Sequence, residues 1–321
     1  MKPKVLVTRE VFDDVLTFLR ASLDVEANQE DVPLNSQTLH ARLADKSGVM
    51  CALTDRIDSE LIAACPDLKA VCNIAVGYNN IDVPACTGRS IMVTNTPGVL
   101  DETTADLVWA LLLATARRLT EVETYLRNGE WVGWKLKQLL GTDVHHATLG
   151  IVGMGRIGQK IARRGLGFEM QVLYHNRSRL AASIEAELDA KYVSMEELLA
   201  RSDFVVLQVP YSETTHHLIG ARELAQMKST AILINAARGG VVDDAALIEA
   251  LECGTIHAAG LDVFENEPKF NPRFLGLKNV VLAPHIGSST YATRLAMAMT
   301  AAQNLVAALS GGTPPNLVNR L

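Results

Sequence analysis

The sequence predicts an α/β protein made of two doubly wound parallel sheets, and three observations carry that expectation. Short β-branched runs alternate with stretches whose apolar residues recur at helical spacing, almost from end to end. Strands alternating with helices imply βαβ units, and so parallel strands with helices on both faces. The length, 321 residues of which 48% are hydrophobic, suffices for about two ordinary domains, each with its own core.

Taken in order, Val5-Leu6-Val7-Thr8 reads as the first strand. Val11, Phe12, Val15, Leu16 and Leu19 then fall on one face of a helix. A strand is expected at 49–53, a helix after Asp58 as its N-cap, and strands at 70–74 and 91–95. A long apolar helix covers 101–119 and ends in Arg117 and Arg118, where cations suit the helix dipole. A second series begins with a strand at 148–152, followed by a helix to about 165. Strands at 170–174, 204–209, 231–235, 258–263 and 280–283 continue it, with no helix-period pattern between the last two. A helix of small and apolar residues at 290–309 and a Gly/Pro-rich stretch at 311–315 close the chain. The first series lacks a closing helix, while the last helix follows a completed second series. The expected domains are therefore 1–98 with 287–321, and 99–286 inserted between them.

Composition narrows the function. Charged residues are 21% and the net charge is −6, which argues against a nucleic-acid binder. The longest apolar run, 107–114, falls far short of the roughly 20 residues a spanning helix needs, so no membrane partner is expected. Between Lys4 and Thr8 the apolar stretch is too short for a signal-peptide core, and the expected location is the cytoplasm. Cys51, Cys65, Cys72, Cys86 and Cys253 form no C-x-x-C pair and read as reduced, packed thiols. No metal is expected. The pairs His145-His146 and His216-His217 are adjacent residues whose side chains diverge on a strand or a helix, with no carboxylate or thiol at ligand spacing.

Gly153-Met154-Gly155-Arg156-Ile157-Gly158 is G-x-G-x-x-G between a strand and a helix, the context that gives the pattern meaning. The first glycine permits the tight turn, the second lets a pyrophosphate approach the backbone, and the third lets helix and strand pack closely. The phosphates would face N–H groups at the helix start. The strand after it decides which dinucleotide. Its end, Val172-Leu173-Tyr174, runs into His175-Asn176-Arg177-Ser178-Arg179, with no acid in reach to accept from a ribose 2′-OH. Two guanidiniums and a hydroxyl suit a 2′-phosphate, so the preferred cofactor is NADPH, with NADH usable.

Five segments, in order, resemble the D-isomer-specific 2-hydroxyacid dehydrogenase family. They are Val76-Gly77-Tyr78-Asn79-Asn80-Ile81-Asp82, the glycine turn, Asn235-Ala236-Ala237-Arg238-Gly239-Gly240, Gly260-Leu261-Asp262-Val263-Phe264-Glu265-Asn266-Glu267-Pro268, and Pro284-His285-Ile286-Gly287-Ser288. Within that family, Gly141 to His146 leading into the glycine turn is most similar to bacterial glyoxylate/hydroxypyruvate reductases, also called 2-ketogluconate reductases. The resemblance implies a Rossmann cofactor domain inserted into a flavodoxin-like substrate domain, a cleft between them, and a homodimer built mainly through the cofactor domains. It implies reduction of a small 2-oxo acid such as glyoxylate, hydroxypyruvate or 2-keto-D-gluconate to the D-2-hydroxy acid.

That chemistry needs a cation on the substrate carboxylate and carbonyl, an acid to protonate the forming alkoxide, and a carboxylate to keep that acid charged. The family pattern gives those roles to Arg238, His285 and Glu267. A planar guanidinium grips a carboxylate with two hydrogen bonds, and histidine exchanges protons near neutral pH. By the same resemblance Val76 and Gly77 offer backbone N–H groups to the substrate carboxylate, and Trp134 reaches the partner subunit's active site. Thr104 approaches the cofactor phosphate, Asp262 the carboxamide, and Pro210, Ala236 and Gly287 line the cofactor groove. Formate dehydrogenases share the fold but carry Gln where Glu267 stands. The competing reading from another class is a dinucleotide-sensing regulatory protein of the same fold, which the complete Arg/Glu/His set disfavours.

Overall fold

Strand β1 (Lys4–Val7) buries Val5, Leu6 and Val7 completely, and its alternation explains the layers around it. Val5 and Val7 face one core with Val15, Leu19, Ala301 and Leu305, whereas Leu6 faces another with Leu39, Leu43, Val49 and Leu61. A strand buried on both faces needs apolar residues at every position, the mark of a parallel sheet covered by helices. The computed structural model describes residues 2–320. The chain divides into two units, Met1–Leu100 with Ser288–Leu321, and Asp101–Gly287.

In the first unit β1 is followed by α1 (Asp13–Ser22), β2 (Asp24–Ala27), α2 (Ser36–Leu43), β3 (Gly48–Cys51), α3 (Ser59–Ala64), β4 (Ala70–Asn73), α4 (Val83–Gly88) and β5 (Met92–Thr94). The sheet order is β2-β1-β3-β4-β5, all parallel. Asp58 caps α3 by accepting from the Leu61 N–H at 3.0 Å, and Asp82 caps α4 in the same way. Sequence periodicity passed over β2 and α2. Strand β2 lies at a sheet edge and carries only two apolar side chains among four, so it has no buried run to announce it.

The second unit contains α5 (Asp101–Ala116), α6 (Leu119–Arg127), β6 (Thr148–Val152), α7 (Arg156–Leu166), β7 (Gln171–His175), α8 (Ala182–Glu187), β8 (Ala190–Tyr192), α9 (Met195–Arg201), β9 (Phe204–Leu207), α10 (Ala221–Leu224), β10 (Ile232–Asn235), α11 (Asp244–Glu252), β11 (Ala258–Leu261) and β12 (Val280–Leu282). A single 3-10 turn, Pro272–Gly276, lies between the last two strands. Helix α12 (Tyr291–Leu309) returns to the first unit and packs on β4 and α1. The long helix expected over 101–119 stops at Ala116. Arg118 takes a left-handed φ of 55° and its guanidinium binds Glu121 and the Leu140 carbonyl, starting α6 instead of ending α5.

All seven strands of this unit are parallel, in the order β12-β11-β10-β9-β6-β7-β8. Succession runs outward in opposite directions from the neighbours β6 and β9. Ligands of open α/β sheets bind at the carboxyl ends of the strands where the order reverses in this way. Every loop carrying a predicted residue in this unit, save those of Thr104 and Trp134, leaves a strand at that edge. No helix among the described residues is long and apolar enough to cross a membrane.

Candidate active site

The glycine turn follows β6. Gly153 has φ +101°, and a Cβ there would lie 2.5 Å from the Gln208 carbonyl oxygen on the neighbouring strand's end. At Gly158 a Cβ would meet the Gly153 oxygen at 2.4 Å. The fold itself demands both glycines. Gly155 is different. It is the N-cap of α7 with φ −79° and ψ −158°, a conformation open to any residue, and nothing lies within 4 Å of its would-be Cβ. The protein's own packing does not explain a glycine there, whereas a pyrophosphate resting against the backbone does. On that ground the turn fits a dinucleotide. Asn176 steadies it by accepting from the Met154 N–H at 2.6 Å. Arg156 is exposed at the first position of α7, Ile157 is half-buried beside it, and half-buried Asp101 faces Arg156 and Lys160. Burial raises the Asp101 carboxyl, and those two cations partly offset it.

The loop after β7 departs from the sequence reading in one respect. An acid does reach it. Glu185, from α8, accepts from Arg179 Nε and Nη2 at 2.8 Å each, while Arg177 and Ser178 remain exposed. Ten residues separate this carboxylate from the strand end, and only the short turn before α8 folds it back. Glu185 is buried and turned toward Tyr174 and Arg179, so the strand end itself still presents no exposed acid. Tyr192 donates to the Asn176 carbonyl and completes the turn.

At the ends of β10, β11 and β12 the predicted triad is drawn together. His285 Nδ1 lies 2.7 Å from Glu267 Oε2, and Glu267 Oε1 accepts from the Phe264 N–H at 2.8 Å. An ionised carboxylate can only accept, so Nδ1 carries a proton and Nε2 is the nitrogen left for a substrate. His285 sits at φ +55°, a strained position for a side chain with a Cβ. Asp262 holds it there. Its carbonyl accepts from the His285 N–H, and its buried carboxylate accepts from the Ile286 and Gly287 N–H groups at 2.7 and 2.8 Å. Burial pushes the Asp262 carboxyl upward, against those two donors and the His285 charge. Gly287 packs on Asp262 and on buried Thr104 at the start of α5.

Arg238 follows β10. Asn235 shapes its turn, accepting from the Ala237 N–H and donating to the Arg238 carbonyl, beside buried Ala236. The Arg238 Nη1 donates to the Ala237 carbonyl at 2.7 Å. Burial lowers the guanidinium pKa and Glu267 opposes that shift, so the two charges lie within electrostatic range. A Cβ at Gly239 would lie 1.7 Å from the Phe264 carbonyl oxygen. This glycine therefore lets the Arg238 loop touch the loop that carries Glu267. Pro210, after β9, is exposed and its carbonyl accepts from the Thr215 hydroxyl.

Two predicted groups come from other segments. Trp134 is 78% exposed in the segment after α6, near exposed Trp131, Val132 and Leu136. Val76 and Gly77 belong to the first unit, where Asn95 and Asn73 bind their carbonyls at 2.8 Å each. These asparagines, like Glu185, escaped the sequence reading because their partners are backbone atoms or side chains elsewhere in the chain.

At His216 and His217 adjacent side chains do not diverge. His217 has φ +50°, which breaks the alternation and stacks the two rings at 3.9 Å. Glu265 then joins them, at 2.5 Å from His217 Nε2, and the three could reach one ion. The ring planes differ by only 25°, so their in-plane lone pairs run side by side without converging. Holding an ion would require a ring to turn.

Residues 109–287 match the family model for the D-isomer specific 2-hydroxyacid dehydrogenase, NAD binding domain. A glyoxylate reductase of Thermococcus gammatolerans is 49% identical over 324 residues, covering 100% of this chain and 97% of its own. One from Aeropyrum pernix is 49% identical over 325 residues, covering 99% and 96%. Among solved structures, an NADPH-dependent glyoxylate/hydroxypyruvate reductase from Sinorhizobium meliloti, in complex with NADP and malonate, superposes with a TM-score of 0.88. It is 35% identical, over 99% of this chain and 97% of its own. A Thermus thermophilus protein gives 0.91 at 43% identity, over 98% and 100%.

Proposed function

Because this chain belongs to the D-isomer specific 2-hydroxyacid dehydrogenase family, we propose that it reduces small 2-oxo acids, glyoxylate and hydroxypyruvate first among them, to D-2-hydroxy acids. The observation that carries the reading is the His285–Glu267 pair beside Arg238 at the carboxyl edge of the sheet that also bears the glycine turn. The glycine turn would hold the pyrophosphate of a dinucleotide whose reduced nicotinamide would supply the hydride. Arg238 holds the substrate carboxylate and draws electron density from the carbonyl. His285 delivers the proton from Nε2 as the alkoxide forms, and Glu267 keeps the ring oriented. Burial strengthens Arg238 here, because a guanidinium out of bulk water interacts more strongly with an incoming anion.

NADPH is the preferred cofactor in this proposal. Arg177 and Arg179 are exposed after the end of β7, and Glu185, which pairs with Arg179, is itself buried. The related reductase from Sinorhizobium meliloti is NADPH-dependent, which agrees with that reading. The exposed Trp131, Val132, Trp134 and Leu136 support a homodimer formed through the cofactor-binding unit, since apolar surface of this density marks an interface. The test is steady-state kinetics with glyoxylate, hydroxypyruvate and 2-keto-D-gluconate, each with NADPH and with NADH. Turnover of none of the three, with intact cofactor binding, would favour a sensing role instead.

A further inference from the structure

Two arginines follow β7, and the fold treats them differently. Arg177 is exposed and forms no ion pair among the described residues. Arg179 is gripped along one edge by Glu185, through Nε and Nη2. Glu185 is only 9% exposed although α8 is a short surface helix, and its Oε1 also accepts from the Tyr174 hydroxyl at 2.6 Å. Tyr174 is wholly buried on β7, and its hydroxyl accepts in turn from the Leu180 N–H at 2.9 Å. Leu180, Tyr174, Glu185 and Arg179 thus form one chain of hydrogen bonds that ties the turn to the sheet interior. Arg179, first, and then Tyr174 hold the Glu185 carboxyl down to about 2, so it is ionised at any assay pH.

Burying a carboxylate against an arginine is weak evidence for stability, because desolvation offsets most of the attraction. What the pair does supply is direction. A guanidinium has five N–H donors, and the two taken by Glu185 leave three aimed away from it. The Arg179 side chain remains 66% exposed on that far side. An arginine fixed before binding loses less freedom when an anion arrives. Glu185 also repels such an anion, but from beyond the guanidinium, where distance and solvent weaken the effect.

We propose that Glu185 is a specificity-determining positioning residue, which fixes through Arg179 the guanidinium edge that receives the 2′-phosphate of NADPH. The inference rests on the NADPH reading above. It is tested on the intact protein by KM for NADPH and NADH, and by binding of 2′,5′-ADP against 5′-AMP. Parent, Arg177→Ala, Arg179→Ala, Glu185→Gln and the Glu185→Gln/Arg179→Ala pair are compared. Glu185→Gln should raise KM for NADPH roughly tenfold and leave KM for NADH within about twofold. In the Arg179→Ala background it should add nothing further. An unchanged KM for NADPH, an equal rise for both cofactors, or full additivity with Arg179→Ala overturns the proposal. If Arg177→Ala abolishes the 2′-phosphate preference while Glu185→Gln keeps it, this proposal fails and the NADPH reading stands. If the parent does not prefer 2′,5′-ADP, that reading fails and takes the proposal with it. Should Glu185→Gln not fold, Arg179→Lys keeps the charge without the planar edge, and undiminished NADPH preference in it would equally overturn the idea.

Discussion

Gly155→Ala separates what the ligand needs from what the fold needs. The added methyl meets no protein atom within 4 Å, and φ −79° with ψ −158° suits alanine. Alanine is a poorer N-cap than glycine by a few tenths of a kcal/mol to about 1, while losing a glycine stiffens the unfolded chain by about 0.4–1 kcal/mol. The two nearly cancel, so the urea midpoint should barely move. Cofactor binding should move a great deal. The methyl occupies the space through which a pyrophosphate oxygen reaches the backbone N–H groups of α7, and losing one charge-assisted hydrogen bond costs about 1.5–3 kcal/mol. That is roughly a 10- to 150-fold rise in Kd, equal for NADPH and NADH because the pyrophosphate is common to both. Fluorescence titration measures it, with Gly88→Ala as the control, since a Cβ at Gly88 also meets nothing within 4 Å. Unaltered dinucleotide affinity in Gly155→Ala would refute the reasoning, as would a large loss of stability.

Gly239→Ala should act on catalysis instead. Its Cβ lands 1.7 Å from the Phe264 oxygen, so the loops bearing Arg238 and Glu267 must part by more than about 1 Å, which costs on the order of 100-fold in kcat/KM. His285→Ala and Arg238→Ala should each lose orders of magnitude in kcat/KM while still binding cofactor, read by stopped-flow and by titration. Asp244 gives a pH test. Burial first, and then the Glu265 and Asp243 charges, raise its carboxyl from 3.8 to about 6, so the folded state retains a proton that the unfolded chain releases earlier. Its contribution to stability therefore falls as pH rises from about 4 through about 6, and Asp244→Asn should outlast the parent by about 1–2 kcal/mol at pH 7.5 but not at pH 4. Urea midpoints of both proteins across that range check it. Finally, Trp131→Asp with Trp134→Asp should shift the protein toward monomer in light scattering, if the exposed apolar segment is the dimer interface.

Much of the chain announces itself locally. Strands buried on both faces are short runs rich in Val, Ile and Leu, as in β9 and β10. The glycine turn is legible because sterics at Gly153 and Gly158 act over a few residues. Edge elements were harder to read. Strands β2 and β8 are short edge strands with only Ala190 buried between them, and α6 begins only because Arg118 turns left-handed and finds Glu121 and Leu140.

By itself the sequence determined the class of fold and the two series of strands, which depend on periodicity that a linear chain displays. The residues expected to serve a 2-oxo acid were named through the family resemblance. The tertiary structure alone decided that Asp262 grips the strained His285 loop, that Gly239 brings the Arg238 and Glu267 loops into contact, that Glu185 claims Arg179, and that His216 and His217 stack. Each depends on backbone dihedrals and on partners brought from another part of the chain, and hydrogen bonds across such distances leave no periodic trace.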